Sequence, residues 1–277
     1  MSNRLSARQL ELKSIQYRKT ILSIIRQAGG GHTAGSLSCT DILNVLYNRV
    51  MDITPGNFGS IARDPYIKSK GHPVEALYTV LADVGFFPAE ELATLSRAGS
   101  HFVGHPTRKV PGVEHNTGAL GHGLAVAVGL ALGLKQDGLP HRVYTLLGDG
   151  ELAEGSNWEA SMTAAHYALD NLVVIVDRND LQITGFTEDV MALEPLADAV
   201  SVFDADPRSA RRPGEPQPAS WAGDLWIAEV CVVEALATAL PDAAGVTAAL
   251  AVAAAGAGGA APPPRGEPVE ERDRVAG

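Results

Sequence analysis

Two apolar runs, each cut off by an acid, constrain this chain more than any other feature. Val143 to Leu147 ends in Gly148-Asp149-Gly150-Glu151, and Leu172 to Val176 ends in Asp177-Arg178-Asn179-Asp180-Leu181. Short apolar runs bounded by turn residues read as buried strands. Between them, Ser156-Asn157-Trp158-Glu159 carries the capping-box pattern, so a helix with Ser156 as its N-cap is expected there. Strand, helix and strand make a βαβ crossover, which needs a long spacer because its strands are parallel. Ligands of open parallel sheets sit outside the carboxyl ends of the strands. The unit therefore brings Asp149 and Asn179 to one edge. Two hard oxygen ligands beside flexible glycine backbone suit a magnesium ion that also holds phosphates. Taken alone, Asp149 could simply close a turn and Asn179 cap one.

The longer string resembles a known family. Gly148-Asp149-Gly150-Glu151, Glu154-Gly155, Trp158-Glu159-Ala160 and Asp177-Arg178-Asn179 are similar to the amino-terminal half of transketolases, in the style of the short cofactor-binding chain of split transketolases. The resemblance implies thiamine diphosphate and Mg²⁺ as cofactors. The metal would be held by Asp149, the Asn179 side chain and the Leu181 carbonyl, with Gly150 against the diphosphate. Glu154 is counted with the cofactor-binding residues; the matching acid of the family lies at a dimer interface, although an acid entering a helix is also favoured by the dipole. Asp177 would support Asn179 from behind.

Further matches lie upstream. Residues from Ser6 to Ala28 read as a helix with Leu12, Ile15, Ile21, Leu22 and Ile25 at helical spacing, ended by Gly29-Gly30-Gly31. Gly31-His32-Thr33-Ala34-Gly35-Ser36 resembles the family's G-H-x-x-G-S element, whose His meets substrate near the reacting carbon; Thr33 stands where proline is usual. Asp41 to Val50 is the next expected helix. Lys70-Gly71-His72 resembles K-G-H, whose His contacts the cofactor diphosphate, and a helix is expected over Val74 to Val84. Gly104-His105-Pro106 matches G-H-P, whose His bonds a sugar hydroxyl. The resemblance thus implies His32, His72 and His105 as catalytic residues. It also sets the backbone of Gly118, Ala119 and Leu120 against the aminopyrimidine ring, a close approach that glycine permits. His101, His115 and His122 have no match.

Composition excludes several classes. A net charge of −10 and a sequence pI near 5.2 argue against a nucleic-acid surface. The two cysteines, Cys39 and Cys231, offer neither a disulfide framework nor metal spacing, as expected of a cytoplasmic protein. No apolar signal core opens the chain, and the apolar stretch Leu120 to Leu134 is too short for a membrane span, so it reads as a buried helix.

The resemblance runs to Leu193-Glu194-Pro195-Leu196-Ala197-Asp198 and then stops. Two regions are therefore expected: an α/β cofactor-binding domain over 1–198, with a parallel sheet flanked by helices on both faces, and an atypical tail over 199–277. The tail is rich in Ala, Gly, Pro and Arg, close to low complexity over Ala235 to Ala261, and reads as largely disordered. Leu225 to Leu240 alone could form a helix. The abrupt change has the composition of a shifted reading frame, with a natural lineage-specific tail as the alternative; loss of the last strands and helices would leave a sheet edge uncovered.

The function implied is transfer of a two-carbon ketol unit from a ketose phosphate to an aldose acceptor. A partner carrying the pyrimidine-binding half is required, in an α₂β₂ assembly with no nucleic-acid or membrane partner. Two alternatives stand beside it. One is a non-catalytic remnant or regulatory chain, favoured by the tail. The other is the α subunit of a 2-oxoacid dehydrogenase, disfavoured by the paired histidine elements.

Overall fold

The computed structural model describes residues 5–196 and, through its backbone, the strand Asp224–Glu229. The expectations for 199–223 and 230–277 lie outside the described residues. Four parallel strands form the sheet: β1 (Tyr66–Lys68), β2 (Val143–Gly148), β3 (Leu172–Arg178) and β6 (Asp224–Glu229), in the spatial order β1-β2-β3-β6. The two expected strands pair in register, Val143 opposite Leu172 and Gly148 opposite Asp177, so both acid turns leave the sheet at the same edge.

Side chains alternate across the strands and divide the core. Tyr66, Tyr144, Leu146, Val173 and Ile175 face one layer, made by α1 (Ala7–Ala28), α2 (Thr33–Val45) and α3 (Val74–Asp83). Ile67, Val143, Leu147, Val174 and Val176 face the other, made by α4 (Gly123–Gln136) and α5 (Gly155–His166). Both faces are covered, which is why these strands read as unbroken apolar runs. This is the expected parallel sheet with helices on both sides.

The first helix has the expected bounds but a different buried face. Ser6 caps it through a reciprocal box with Gln9, and Gly29 ends it at φ 80°. Its buried side carries Leu10, Ser14, Tyr17, Ile21 and Ile24, whereas Leu12, Ile15 and Leu22 stay about half exposed. A polar residue sits within that buried face because Asn44 of α2 donates to Ser14 Oγ at 2.8 Å and to the Leu10 carbonyl at 2.8 Å. Spacing alone could not show that partner.

Three other expectations are corrected. Ser156 does not cap α5; the helix starts at Gly155 after Glu154, and Ser156 Oγ donates instead to the Gly121 carbonyl at 2.8 Å. The apolar helix α4 is buried on one face only, through Leu124, Ala127, Val128, Ala131 and Leu134, and leaves Gly129 and Leu130 exposed. Finally, Asp224–Glu229 is a strand, where the sequence allows a helix from Leu225 onward. It pairs with β3 from Val173 opposite Asp224 to Arg178 opposite Glu229, along the edge expected to be open.

Candidate active site at the carboxyl edge of the sheet

Asp149 organises this edge. Its carboxylate is buried at 1 % exposure. Oδ2 accepts the backbone N–H groups of Asn179 (3.0 Å) and Asp180 (2.7 Å) and Nη1 of Arg178 (3.1 Å), while among the described residues Oδ1 accepts the Gly150 N–H alone, at 2.9 Å. The acid ending β2 therefore fixes the loop leaving β3. Asn179 Oδ1 accepts the Leu181 N–H at 3.1 Å, and Asp180 takes a left-handed φ of 61° to turn the chain. Leu181–Gln182 (β4) then pairs antiparallel with Gly185–Phe186 (β5), and the short α6 (Thr187–Val190) follows.

Asp149, distant in the chain, thus meets the turn that carries Asn179 and Leu181. Asp149 Oδ1 and Asn179 Oδ1 each have one hydrogen bond and keep accepting capacity, as hard cations require. Among the described residues, no group of three or more His, Cys, Asp or Glu side chains could hold a metal. A cation here would need amide and main-chain oxygens beside the single carboxylate, and Asn179 supplies an amide oxygen in this turn. Gly150 lies against Gln182, whose Cβ would be 2.8 Å from a side chain added there.

Arg178 anchors the same carboxylate from behind. Its guanidinium also contacts Thr187, Asp180, Glu188 and Glu194, the last two at 3.0 and 3.1 Å. Burial opposes its charge, but Asp149 and Glu194 outweigh that and hold its pKa above the ordinary value. Asp177 does not support Asn179 through its side chain. It pairs with Lys70 Nζ at 2.7 Å and accepts the Ser38 hydroxyl at 2.7 Å, with both Asp177 and Lys70 essentially buried. Burial works against the Lys70 charge, yet Asp177 raises its pKa overall.

The three sequence-predicted histidines converge. The His32 ring centre is 5.6 Å from that of His72 and 5.9 Å from that of His105. Burial, then Lys70, Lys68, His32 and His105, pushes the His72 pKa down to about 3. Burial and His32 hold His105 below its ordinary range, with Glu75 pulling the other way. His72 is therefore a neutral imidazole at neutral pH, able to donate one hydrogen bond to an anion. His105 is set by its carbonyl and that of Val103, both accepting from Tyr78 Oη at 3.2 and 3.3 Å. His101 lies away from this group, stacked on Phe102 at 4.4 Å.

The glycine loop starts near Gly71, where an added Cβ would meet both Thr117 and His105. Gly118 and Ala119 are exposed and Leu120 is half-buried. Gly118 has φ 146° and nothing within 4 Å of a Cβ built on it, so its backbone faces open space. Thr117 Oγ1 is buried without a hydrogen-bond partner among the described residues and packs against Gly71, where a Cβ would overlap it. An orphaned hydroxyl beside an open glycine backbone fits a polar ligand at this loop. Glu154 is exposed and packs on Gly121. His122 is exposed, its Nδ1 2.9 Å from the Leu120 carbonyl.

Two buried acids escape a reading of the sequence for site residues. Glu151 Oε1 accepts the Gly121 N–H at 2.8 Å and the Ser69 hydroxyl at 2.5 Å, and its Oε2 accepts the Gly148 N–H at 3.0 Å. One side chain thereby joins the ends of β1 and β2 to the glycine loop. Glu75, on α3, accepts the His32 N–H at 3.0 Å and the Ser36 hydroxyl at 2.8 Å. An acid in the first turn of a largely apolar helix, directly after a histidine element, is the sequence signal that Glu75 leaves.

Residues 12–199 match the family described as transketolase, thiamine diphosphate binding domain. An apulose-4-phosphate transketolase subunit from Phocaeicola vulgatus is 49 % identical over 197 residues, 71 % of this chain and 70 % of that protein. A 6-deoxy-6-sulfo-D-fructose transketolase subunit from a Clostridium species is 45 % identical over 187 residues, 67 % of this chain and 68 % of that protein. In structure, the transketolase from Leishmania mexicana superposes with a TM-score of 0.67 at 28 % identity, over 79 % of this chain and 36 % of that one. The chain thus spans about a third of the solved protein it matches.

Proposed function

Since the chain belongs to the transketolase thiamine-diphosphate-binding family, we propose that it is the cofactor-binding subunit of a two-chain transketolase, moving a two-carbon ketol unit from a ketose phosphate to an aldose acceptor. The single observation that carries this reading is the joining of Asp149 and the Asn179–Leu181 turn at one sheet edge, beside the cluster of His32, His72 and His105.

Thiamine diphosphate, when bound, supplies the carbanion chemistry. In this reading Asp149, the Asn179 amide and the Leu181 carbonyl hold Mg²⁺, with Gly150 beside the diphosphate. Neutral His72 donates a hydrogen bond to a diphosphate oxygen. His32 and His105 border the sugar and move protons or stabilise charge on its hydroxyl and carbonyl oxygens. Gly118, Ala119 and Leu120 offer main-chain groups to the pyrimidine ring, and exposed Glu154 faces the assembly partner. The working unit is residues 1–198, to whose sheet the following region adds the strand Asp224–Glu229. We assign the protein to the cytoplasm, where the buried free thiol of Cys39 stays reduced.

The reading requires a second chain with the pyrimidine-binding half, in an α₂β₂ assembly. The names of the relatives, each a transketolase subunit, support that requirement. Calorimetric titration of the full chain with thiamine diphosphate and Mg²⁺, with and without such a partner, tests it. Tight binding and ketol transfer with the partner are expected, and neither without it. Absence of binding in both arms, or ketol transfer by this chain alone, overturns the proposal.

A further inference from the structure

We propose that Glu75 is a positioning residue for His32, holding the turn that carries this histidine through two hydrogen bonds; the assignment rests on the reading of His32 given above.

The sequence around His32 cannot hold itself. Gly29, Gly30 and Gly31 precede it, and the helix that follows, α2, has His32 at its N-cap with no side-chain hydrogen bond of its own. Orphan N–H groups at a helix start need an acceptor. Here it comes from another element: the Glu75 carboxylate, 1 % exposed in the first turn of α3, accepts the His32 N–H with Oε1 and the Ser36 hydroxyl with Oε2. Ser36 lies one helical turn beyond His32 and is fully buried. Both ends of that turn are therefore pinned by one rigid, bidentate anchor.

The packing is close on both sides of this turn. A Cβ on Gly31 would overlap Glu75 Oε1 and reach Ile25 Cγ1 at 2.9 Å, so glycine at 31 is what lets the carboxylate reach the His32 backbone. On its other side, a Cβ on Gly35 would stand 3.5 Å from the His72 ring. The loop is thus wedged between the anchor and the neighbouring histidine. Because α3 begins two residues after His72, Glu75 ties the position of His32 to the element that carries His72. A displacement of about 1 Å in a reacting group can cost roughly a hundredfold in rate.

Three variants of the full chain, reconstituted with the partner subunit, test this. Glu75→Leu removes both acceptors. Glu75→Gln keeps an oxygen for the His32 N–H, while the Ser36 hydroxyl can turn to accept from the amide. Gly31→Ala displaces the carboxylate from the opposite side. For Glu75→Leu and Gly31→Ala we expect kcat to fall at least tenfold with little change in donor KM. Amide exchange at His32 should quicken at least tenfold, with a shifted His32 ring resonance, while exchange in β2 and β3 stays slow. Glu75→Gln should stay within threefold of wild type in each. Gly31→Ala keeps the test open if Glu75→Leu fails to fold. Unchanged His32 signals in a folded Glu75→Leu or Gly31→Ala protein, or a Glu75→Gln protein as defective as Glu75→Leu, overturns the assignment. Failure of wild type to transfer ketol units would sink the proposed function instead and leave the His32 exchange readout standing.

Discussion

At the scale of single residues, the site is governed by what each buried charge is given in exchange for water. Asp149 is paired with Arg178 and two backbone N–H groups, so replacing it with Asn removes charge-assisted hydrogen bonds worth about 1.5–3 kcal/mol each. Arg178 keeps Glu188, Glu194 and Asp180, which offsets part of that loss. For Asp149→Asn we expect a net destabilisation of about 2 kcal/mol by urea unfolding, together with loss of Mg²⁺-dependent cofactor binding by calorimetry. His72 gives a pH prediction with a definite sign. Its folded pKa of about 3 lies below the ordinary 6.5, so the unfolded chain takes up the proton first. The stability tied to neutral His72 is complete above about pH 6.5 and is lost as pH falls toward 3. Stability measured at pH 7.5, 5.5 and 4.5 should therefore decline less steeply in His72→Gln than in wild type; equal slopes would show that His72 titrates normally. The three histidines are legible in the sequence because each sits in a short glycine-bearing element. The roles of Glu75 and Glu151 are not, because they depend on which distant backbone N–H meets the carboxylate, and nothing in local spacing encodes that.

At the scale of elements, the glycine loop depends on Glu151 and on the left-handed Gly121. Gly121 has φ 80°, and a Cβ there would overlap Glu154 and Ser156, so alanine is opposed by both backbone and packing. For Gly121→Ala we expect more than about 1 kcal/mol of destabilisation, faster amide exchange over residues 117–122, and at least tenfold weaker thiamine diphosphate binding. Intact exchange and affinity would show that the loop tolerates another route. Helix and strand positions were largely legible, since apolar periods of 3.6 and unbroken apolar runs follow from one-sided and two-sided burial. What escaped was the choice among equivalent local solutions. Ser156 has the pattern of a cap, yet the Gly121 carbonyl takes its hydroxyl. On α1 the exposed Leu12 and Ile15 fit helical spacing as well as the buried Leu10 and Tyr17 do, and the Asn44 side chain on α2 bonds to the face that turns inward.

At the scale of the whole molecule, the order β1-β2-β3-β6 makes β3 an interior strand, although every sequence signal of the family ends before β6 begins. The tail carried no readable strand because Asp224 to Glu229 is short, lacks clean alternation and is followed by Ala-rich sequence that favours helix as readily. Pairing with an existing strand is a tertiary choice that overrides so weak a local preference. The consequence falls on β3, which carries Asp177, Arg178 and the turn holding Asn179. With β6 in place, the backbone of Val173 to Asp177 is paired on both sides; without it, one row of N–H and C=O groups is left as a template for other chains. Ile227 pairs with Val176 in the middle of this ladder, and proline there takes a backbone donor from β6 and fixes φ near −65°, away from the value of a parallel strand. For Ile227→Pro we expect faster exchange of the β3 amides that face β6, unchanged exchange of those facing β2, and concentration-dependent aggregation by light scattering. A weakened β3 should also loosen its carboxyl-end turn, so Mg²⁺-dependent cofactor affinity should fall although Ile227 lies outside the site. If exchange in β3 and cofactor affinity both match wild type, β6 does not support this edge, and residues 5–196 hold the site unaided.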